Sequence, residues 1–278
     1  MLRKLMRYDF RDVLRLWWIP AVTLLAMAPL TGLFIYLPTH VETTQAVAVT
    51  LSVIMGLLIF LYILTFAAAI GLSAFFCYRR FYCHFFTDEG YLTFTLPVKR
   101  RTLLLSKTLV IFVVFVATAL TCAASLSLLA VTSGYAENVF GLIGEVLKSL
   151  FEGQVAFGVL VAFEAAVLLV LLLGFYQLLV QFAVTLGAVV AKKHKILAAI
   201  GFYYLASNVL ELLLVMFVQF FSVFTTLAAV RFAENMSAAR FDGVMALLIL
   251  MGILLFAMID TILYLLTLSS IERRLNLA

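Results

Sequence analysis

Thr87-Asp88-Glu89-Gly90-Tyr91-Leu92-Thr93-Phe94-Thr95-Leu96-Pro97-Val98-Lys99-Arg100-Arg101 is a polar interruption between two apolar runs, 46–78 and 103–132, and each run is too long and too apolar to be anything but a membrane helix. Crossing about 30 Å of hydrocarbon takes roughly 20 helical residues. Working outward from the interruption, runs of at least that length fall near 18–37, 46–78, 103–132, 155–191, 196–226 and 243–268. Composition agrees, with 66% hydrophobic residues, 12% charged residues and a mean hydropathy of +1.19, an apolar surplus that no soluble core absorbs. The expected fold is all-α: a polytopic membrane protein forming a single transmembrane domain over 1–278, with six spans.

An even number of spans places both termini on one side, and the basic residues say which side. Arg3, Lys4, Arg7, Arg11 and Arg15 precede the first span. Arg79, Arg80, Lys99, Arg100, Arg101 and Lys107 lie between the second and third, Lys192, Lys193 and Lys195 between the fourth and fifth, and Arg273 and Arg274 after the sixth. Of the 19 basic residues only Lys148, Arg231 and Arg240 fall on the other side. This predicts cytosolic termini in a multi-pass protein of the cell membrane. The net charge of +5 is then mostly topology, not a nucleic-acid signal, since a basic patch without a soluble domain has little with which to grip a duplex.

The interruption is not composed like an ordinary linker. Asp88 and Glu89 suit the first turn of a short helix that begins near Thr87 and runs over 87–95, where the N-terminal partial charge favours carboxylates. Tyr91, Leu92 and Phe94 give that helix an apolar side. Pro97 stops it and can open the next helix, whose first turns carry Lys99, Arg100, Arg101 and Lys107 at headgroup level. Upstream, residues 2–17 form an amphipathic helix: Leu2, Leu5, Met6, Phe10, Val13, Leu16 and Trp17 share one side and the five basic residues the other. Such a helix lies flat on the inner leaflet, or is a simple positive-inside anchor, and Pro20 is where the chain can turn to cross the membrane. Asp9 projects from its apolar side and needs a cation or a protein partner there.

With Leu96-Pro97-Val98-Lys99-Arg100 followed by Leu103-Leu104-Leu105-Ser106-Lys107, the loop resembles the cytosolic loop of the membrane (permease) subunits of bacterial type-2 ABC exporters. The order of an N-terminal interfacial helix, two spans, the loop and four further spans is similar to that family over most of the chain, although only the loop is specific. The resemblance implies that Thr87, Asp88, Glu89, Gly90, Tyr91, Leu92 and Phe94 form a cytosolic coupling helix that docks on separate ABC ATPase subunits. It implies ATP and Mg bound on that partner and none here, and a path formed with a second copy or a similar permease in the lipid bilayer.

The residues themselves exclude several chemistries. There is no G-x-x-x-x-G-K-[ST] phosphate loop, so ATP hydrolysis needs a partner, and there is no HExxH metalloprotease motif. Gly71-Leu72-Ser73-Ala74 resembles an intramembrane serine protease motif, but His40, His84 and His194 all fall in loops or at span ends, leaving Ser73 without a base. The expectation is a non-enzyme. A signal peptide is imitated by Ala26-Met27-Ala28, but Pro29 disfavours cleavage there and the charged region is too long. Cys77, Cys83 and Cys122 read as free thiols, and Cys77, Cys83 and His84 lack a metal-ligand pairing. Asn235-Met236-Ser237 matches a glycosylation sequon, a match common by chance.

Polar groups inside the spans are the remaining candidates, because a carboxylate at mid-bilayer costs about 2.5–3.5 kcal/mol. In span 5, Tyr204, Asn208, Glu211, Gln219 and Ser222 fall on one arc of the helix, and the resemblance makes this stripe a translocation path; the alternative is polar glue within one protomer. Asp260 is expected to pair with a headgroup-level Lys or Arg. Gly174, Gln177 and Gln181 predict a bend or polar lining in span 4. Ala183, Gly187 and Ala191, with Ala67 and Gly71, are small residues that let helices approach within the protomer or at a dimer seam. Phe140, Ile143, Leu147, Leu150 and Phe151, opposed by Glu145, Lys148 and Glu152, predict a short amphipathic segment on the outer side. A second functional reading is an ion-coupled secondary transporter that uses Glu164 and Glu211 as proton sites.

Overall fold

A computed structural model of the chain describes residues 2–40, 44–95, 98–151, 155–191, 193–232 and 238–274. Among them all regular structure is helical: α1 (Leu2–His40), α2 (Gln45–Phe86), α3 (Asp88–Thr95), α4 (Arg100–Thr132), α5 (Ala136–Phe151), α6 (Val155–Val190), α7 (Lys195–Phe232) and α8 (Ala238–Arg274). Six of these, α1, α2, α4, α6, α7 and α8, are long and apolar enough to cross a membrane, the architecture of a multi-pass membrane protein. Helices suit such spans because each backbone polar group is bonded within its own segment. Buried hydroxyls follow the same rule by turning back on their own helix: Thr31 donates to Met27 O, Thr118 to Val114 O, Thr185 to Gln181 O and Thr267 to Leu263 O, each at 2.8 Å. The residues of the sequon, with Leu96, Pro97, Lys192 and Glu152, lie outside the described residues.

The chain divides into two compact units, Met1–Phe81 with Leu105–Lys148 and Tyr82–Leu104 with Ser149–Ala278. In the first, α1 pairs with α4 at a steady offset of about 100 residues. Lys107 Nζ donates to Asp9 Oδ1, the Trp17 indole donates to Thr118 Oγ1 at 2.9 Å, and a Cβ on Gly32 would overlap the side chain of Thr132. A constant offset means that the two helices run parallel. The third member, α2, runs antiparallel to α4, with Tyr62 bonded to Ser125 at 3.1 Å and the Tyr78 ring 6.0 Å from that of Phe115. Leu24, Ala28, Tyr62, Ala69 and Cys122 form the core between them.

The turn expected at Pro20 is absent. Residues 2–17 are helical, with Val13 and Asp9 buried and Arg7, Arg11 and Arg15 exposed, but they continue into the span as one helix through Pro20, Pro29 and Pro38. Proline removes one backbone donor, which a packed helix tolerates. Contacts with α4 on both sides of Pro20 outweigh the local signal. Beyond α4, Gly134 takes the left-handed backbone (φ 80°) that ends a helix, and α5 follows. On α5, Phe140 and Ile143 are exposed.

In the second unit α6 packs against both α7 and α8. Phe175 meets Phe256 edge-on at 5.6 Å, and Phe175, Leu178, Leu179 and Leu263 form the core. The approach of α6 to α7 is set by Gly187, where an added Cβ would lie 2.5–2.7 Å from the backbone and Cβ of Ala199, and Ala183 is buried one turn before it. These small residues serve packing within the protomer. Ala67 and Gly71 do not: both are exposed, and Gly71 has open space beside it. No break interrupts α6 at Gly174; the missing side chain makes room for Asp260 of α8, whose Oδ2 lies 3.2 Å from where a Cβ would be.

Candidate functional site

The short helix expected between the second and third spans is α3, and its attachment is built from a few residues of the second unit. Thr87 ends α2 and starts α3. Its hydroxyl donates back to Cys83 O at 2.5 Å, and its carbonyl accepts from the Gly90 amide at 2.7 Å. Asp88 and Glu89 then occupy the first turn, where the sequence places them. Glu89 is exposed, with its carboxylate 3.6 Å from His84 Nε2. Gly90 is buried against the end of α2, and a Cβ there would meet Phe85 O at 2.9 Å, so only glycine permits this closeness.

Phe94 is half-buried and faces inward. Its ring lies 6.0 Å from that of Phe85, itself fully buried, and the Arg100 guanidinium stands over it at 5.3 Å. Phe94 therefore helps to seat α3 on its own unit. The side chains of Asp88, Tyr91 and Leu92 lie outside the described residues. From Arg100 the contacts continue to α8: Arg100 Nη1 donates to Glu272 O at 3.0 Å, Arg101 Nε lies 3.9 Å from Glu272 Oε1, and the Tyr264 hydroxyl donates to Arg101 O at 3.4 Å. Phe94 and Arg100 thus connect α3 to the end of α8 by direct contacts.

The polar stripe on α7 is outward. Tyr204, Asn208, Glu211, Gln219 and Ser222 are all exposed. Asn208 Nδ2 donates to Tyr204 O at 2.6 Å and Ser222 to Gln219 O at 2.9 Å, whereas Glu211 has no ion pair among the described residues. The buried polar residues of the second unit include Glu164, 8% exposed, whose Oε2 accepts no hydrogen bond from a described residue, and the fully buried Gln177 and Gln181 on α6. Asp260 does not meet a headgroup-level cation. It lies against α6 at Gly174, with Oδ1 buried and unbonded, because its place on α8 faces the neighbouring helix and not the membrane surface.

In the first unit, Asp9 finds the cation that its place on an apolar face demands. Asp9 and Lys107 are 5% and 4% exposed, and one turn on from Asp9 the exposed Asp12 pairs with Arg80. Lys107 is accordingly not a headgroup lysine. The clue in the sequence was Asp9; no pattern there indicated which basic residue would answer it. No protein-family model, curated protein or solved structure matches this chain.

Proposed function

We propose that this chain is the membrane-spanning permease subunit of an ATP-driven exporter of the ABC type, in which separate ATPase subunits dock on α3 and drive a path formed with a second copy or a similar chain. The observation that carries this reading is the construction of α3: a short helix with two carboxylates in its first turn, seated by Gly90 and Phe94 and connected through Arg100 to Glu272. A plain connecting loop needs none of these contacts. They suit an element that takes a push and passes it to α8. ATP and Mg belong to the ATPase, and the chain itself catalyses nothing. Because ATP is cytosolic, α3 and both termini lie on the cytosolic side of the cell membrane, as the basic residues suggest.

On α7 the exposed Glu211 supports the second half of the proposal. A carboxylate facing hydrocarbon is costly, so a face carrying Asn208, Glu211 and Gln219 fits a water-filled path or a partner helix. The ion-coupled carrier is favoured only by Glu164 with its unbonded oxygen. Glu164 and Glu211 sit in opposite environments, one buried and one exposed, which gives that carrier no shared proton site.

The test is capture of an ABC ATPase with the tagged chain from its native membrane. Tyr91→Ala should reduce ATPase recovery strongly, by about 2 kcal/mol of binding if Tyr91 is an aromatic hot spot, while the chain keeps its thermal stability. Since Phe94 belongs to the seat of α3, Phe94→Ala is unsuited to this purpose. Capture of no ATPase by the wild-type chain, or equal capture by Tyr91→Ala, overturns the docking assignment and the orientation drawn from it.

A further inference from the structure

At the turn between α6 and α7 the second unit has an open cavity lined by Tyr82, Lys193, His194, Lys195, Ile196 and Leu197. We propose that this cavity binds the headgroup of an anionic phospholipid. Lys193, His194 and Lys195 are consecutive, and no carboxylate pairs with any of them among the described residues. The like charges of Lys193 and Lys195 repel each other, and an anion held between them relieves that repulsion. Their positions are also constrained. The carbonyl of His194 accepts from the Ala198 amide at 3.0 Å, and the close approach of Gly187 to Ala199 holds the two helices together directly behind the turn. The basic groups are therefore presented by a tight hairpin, which lowers the entropy lost when they close on a ligand.

A phospholipid fits better than a soluble anion because of what flanks the charges. Ile196 and Leu197 are 70% and 69% exposed and begin a span, so an acyl chain can lie against them while the phosphate meets the lysines. Tyr82 completes the wall with an aromatic ring and a hydroxyl, the side-chain type enriched at headgroup level. The same ring lies 5.8 Å from that of Phe86, next to the Phe85 on which α3 is seated. Occupancy of the cavity is thus felt at the root of α3. The inference is independent of any ATPase.

The experiment follows the thermal-unfolding midpoint of the full chain, purified in a neutral detergent, during titration with phosphatidylglycerol, phosphatidylcholine or inorganic phosphate. Phosphatidylglycerol should raise the midpoint, and the other two should not at equal concentration. The double variant Lys193→Gln, Lys195→Gln should need roughly thirtyfold more phosphatidylglycerol for the same rise, each basic residue near a membrane surface being worth about fivefold. Lys193→Arg with Lys195→Arg should respond like wild type, as should Lys148→Gln on the exposed surface of α5. An unchanged response in the glutamine pair, an equal rise with phosphatidylcholine, or reproduction of the effect by inorganic phosphate overturns the proposal. Should the glutamine pair not fold, the wild-type response must weaken with rising salt, and a salt-independent response overturns the proposal equally.

Discussion

Asp9 and Lys107 are the residues most exposed to a change of partner. Both are buried, and removing one leaves the other's charge desolvated without its closest counter-ion. Asp9→Ala is expected to destabilise the chain by about 3–5 kcal/mol, and Lys107→Ala by a similar amount. The double variant Asp9→Leu, Lys107→Met should recover most of that loss, because a desolvated ion pair gains little over a well-packed apolar pair. Thermal unfolding of the three variants in one detergent checks the pattern. Additive losses in the double variant would mean that the two side chains do not act as a pair. At this scale the sequence was informative about need and silent about partner. Asp9 stands among Leu5, Met6, Phe10 and Val13, which marks it as unsatisfied, yet 19 basic residues could have answered it.

Among the elements, the small residues of α6 and α2 differ in a way that their identical spacing hides. Gly187→Ala must push α6 away from the backbone of Ala199, an overpacking expected to cost about 1–3 kcal/mol. Gly71→Ala on α2 meets nothing within 4 Å and should be neutral, or stabilising by up to about 1 kcal/mol through helix propensity. The ranking of the two unfolding midpoints decides the matter, and equal midpoints would remove Gly187 as the contact that sets the α6–α7 approach. Helix α3 teaches the same lesson. Its place and its acidic first turn were legible in Asp88-Glu89-Gly90, whereas the side of Phe94 was not. An aromatic residue on a short amphipathic helix can serve a partner or its own seat, and Phe85 with Arg100 decided for the seat.

At the scale of the whole molecule, α7 presents an exposed polar face. Glu211 is exposed, so a substitution there should leave the protomer's own packing alone. Glu211→Leu is expected to change thermal stability by no more than about 0.5 kcal/mol, the usual range for exposed positions. If α7 lines a path shared with a second copy, the same variant should lower transport and alter the fraction of dimer seen by cross-linking in membranes. Loss of more than that stability would mean that Glu211 bonds within the chain. Unchanged transport and unchanged dimer fraction would take the stripe out of the mechanism and leave α3 as the element on which the functional proposal stands.

The six spans needed only the sequence, because hydrocarbon admits few solutions for a backbone and an apolar run of 20 or more residues selects one of them without reference to its neighbours. The presence of α3 and the amphipathic character of 2–17 were equally local properties, set by periodicity and by the carboxylates and proline at known positions. Tertiary structure decided the rest. It kept α1 straight through Pro20, since contacts of Asp9 and Trp17 on one side and Leu24, Ala28 and Gly32 on the other hold it to its neighbours. It turned Phe94 inward, set Asp260 against Gly174 and left the polar face of α7 bare. Each of these outcomes depends on which surface a helix meets. In a chain that is apolar on nearly every side, the one-dimensional pattern carries almost no information about that choice.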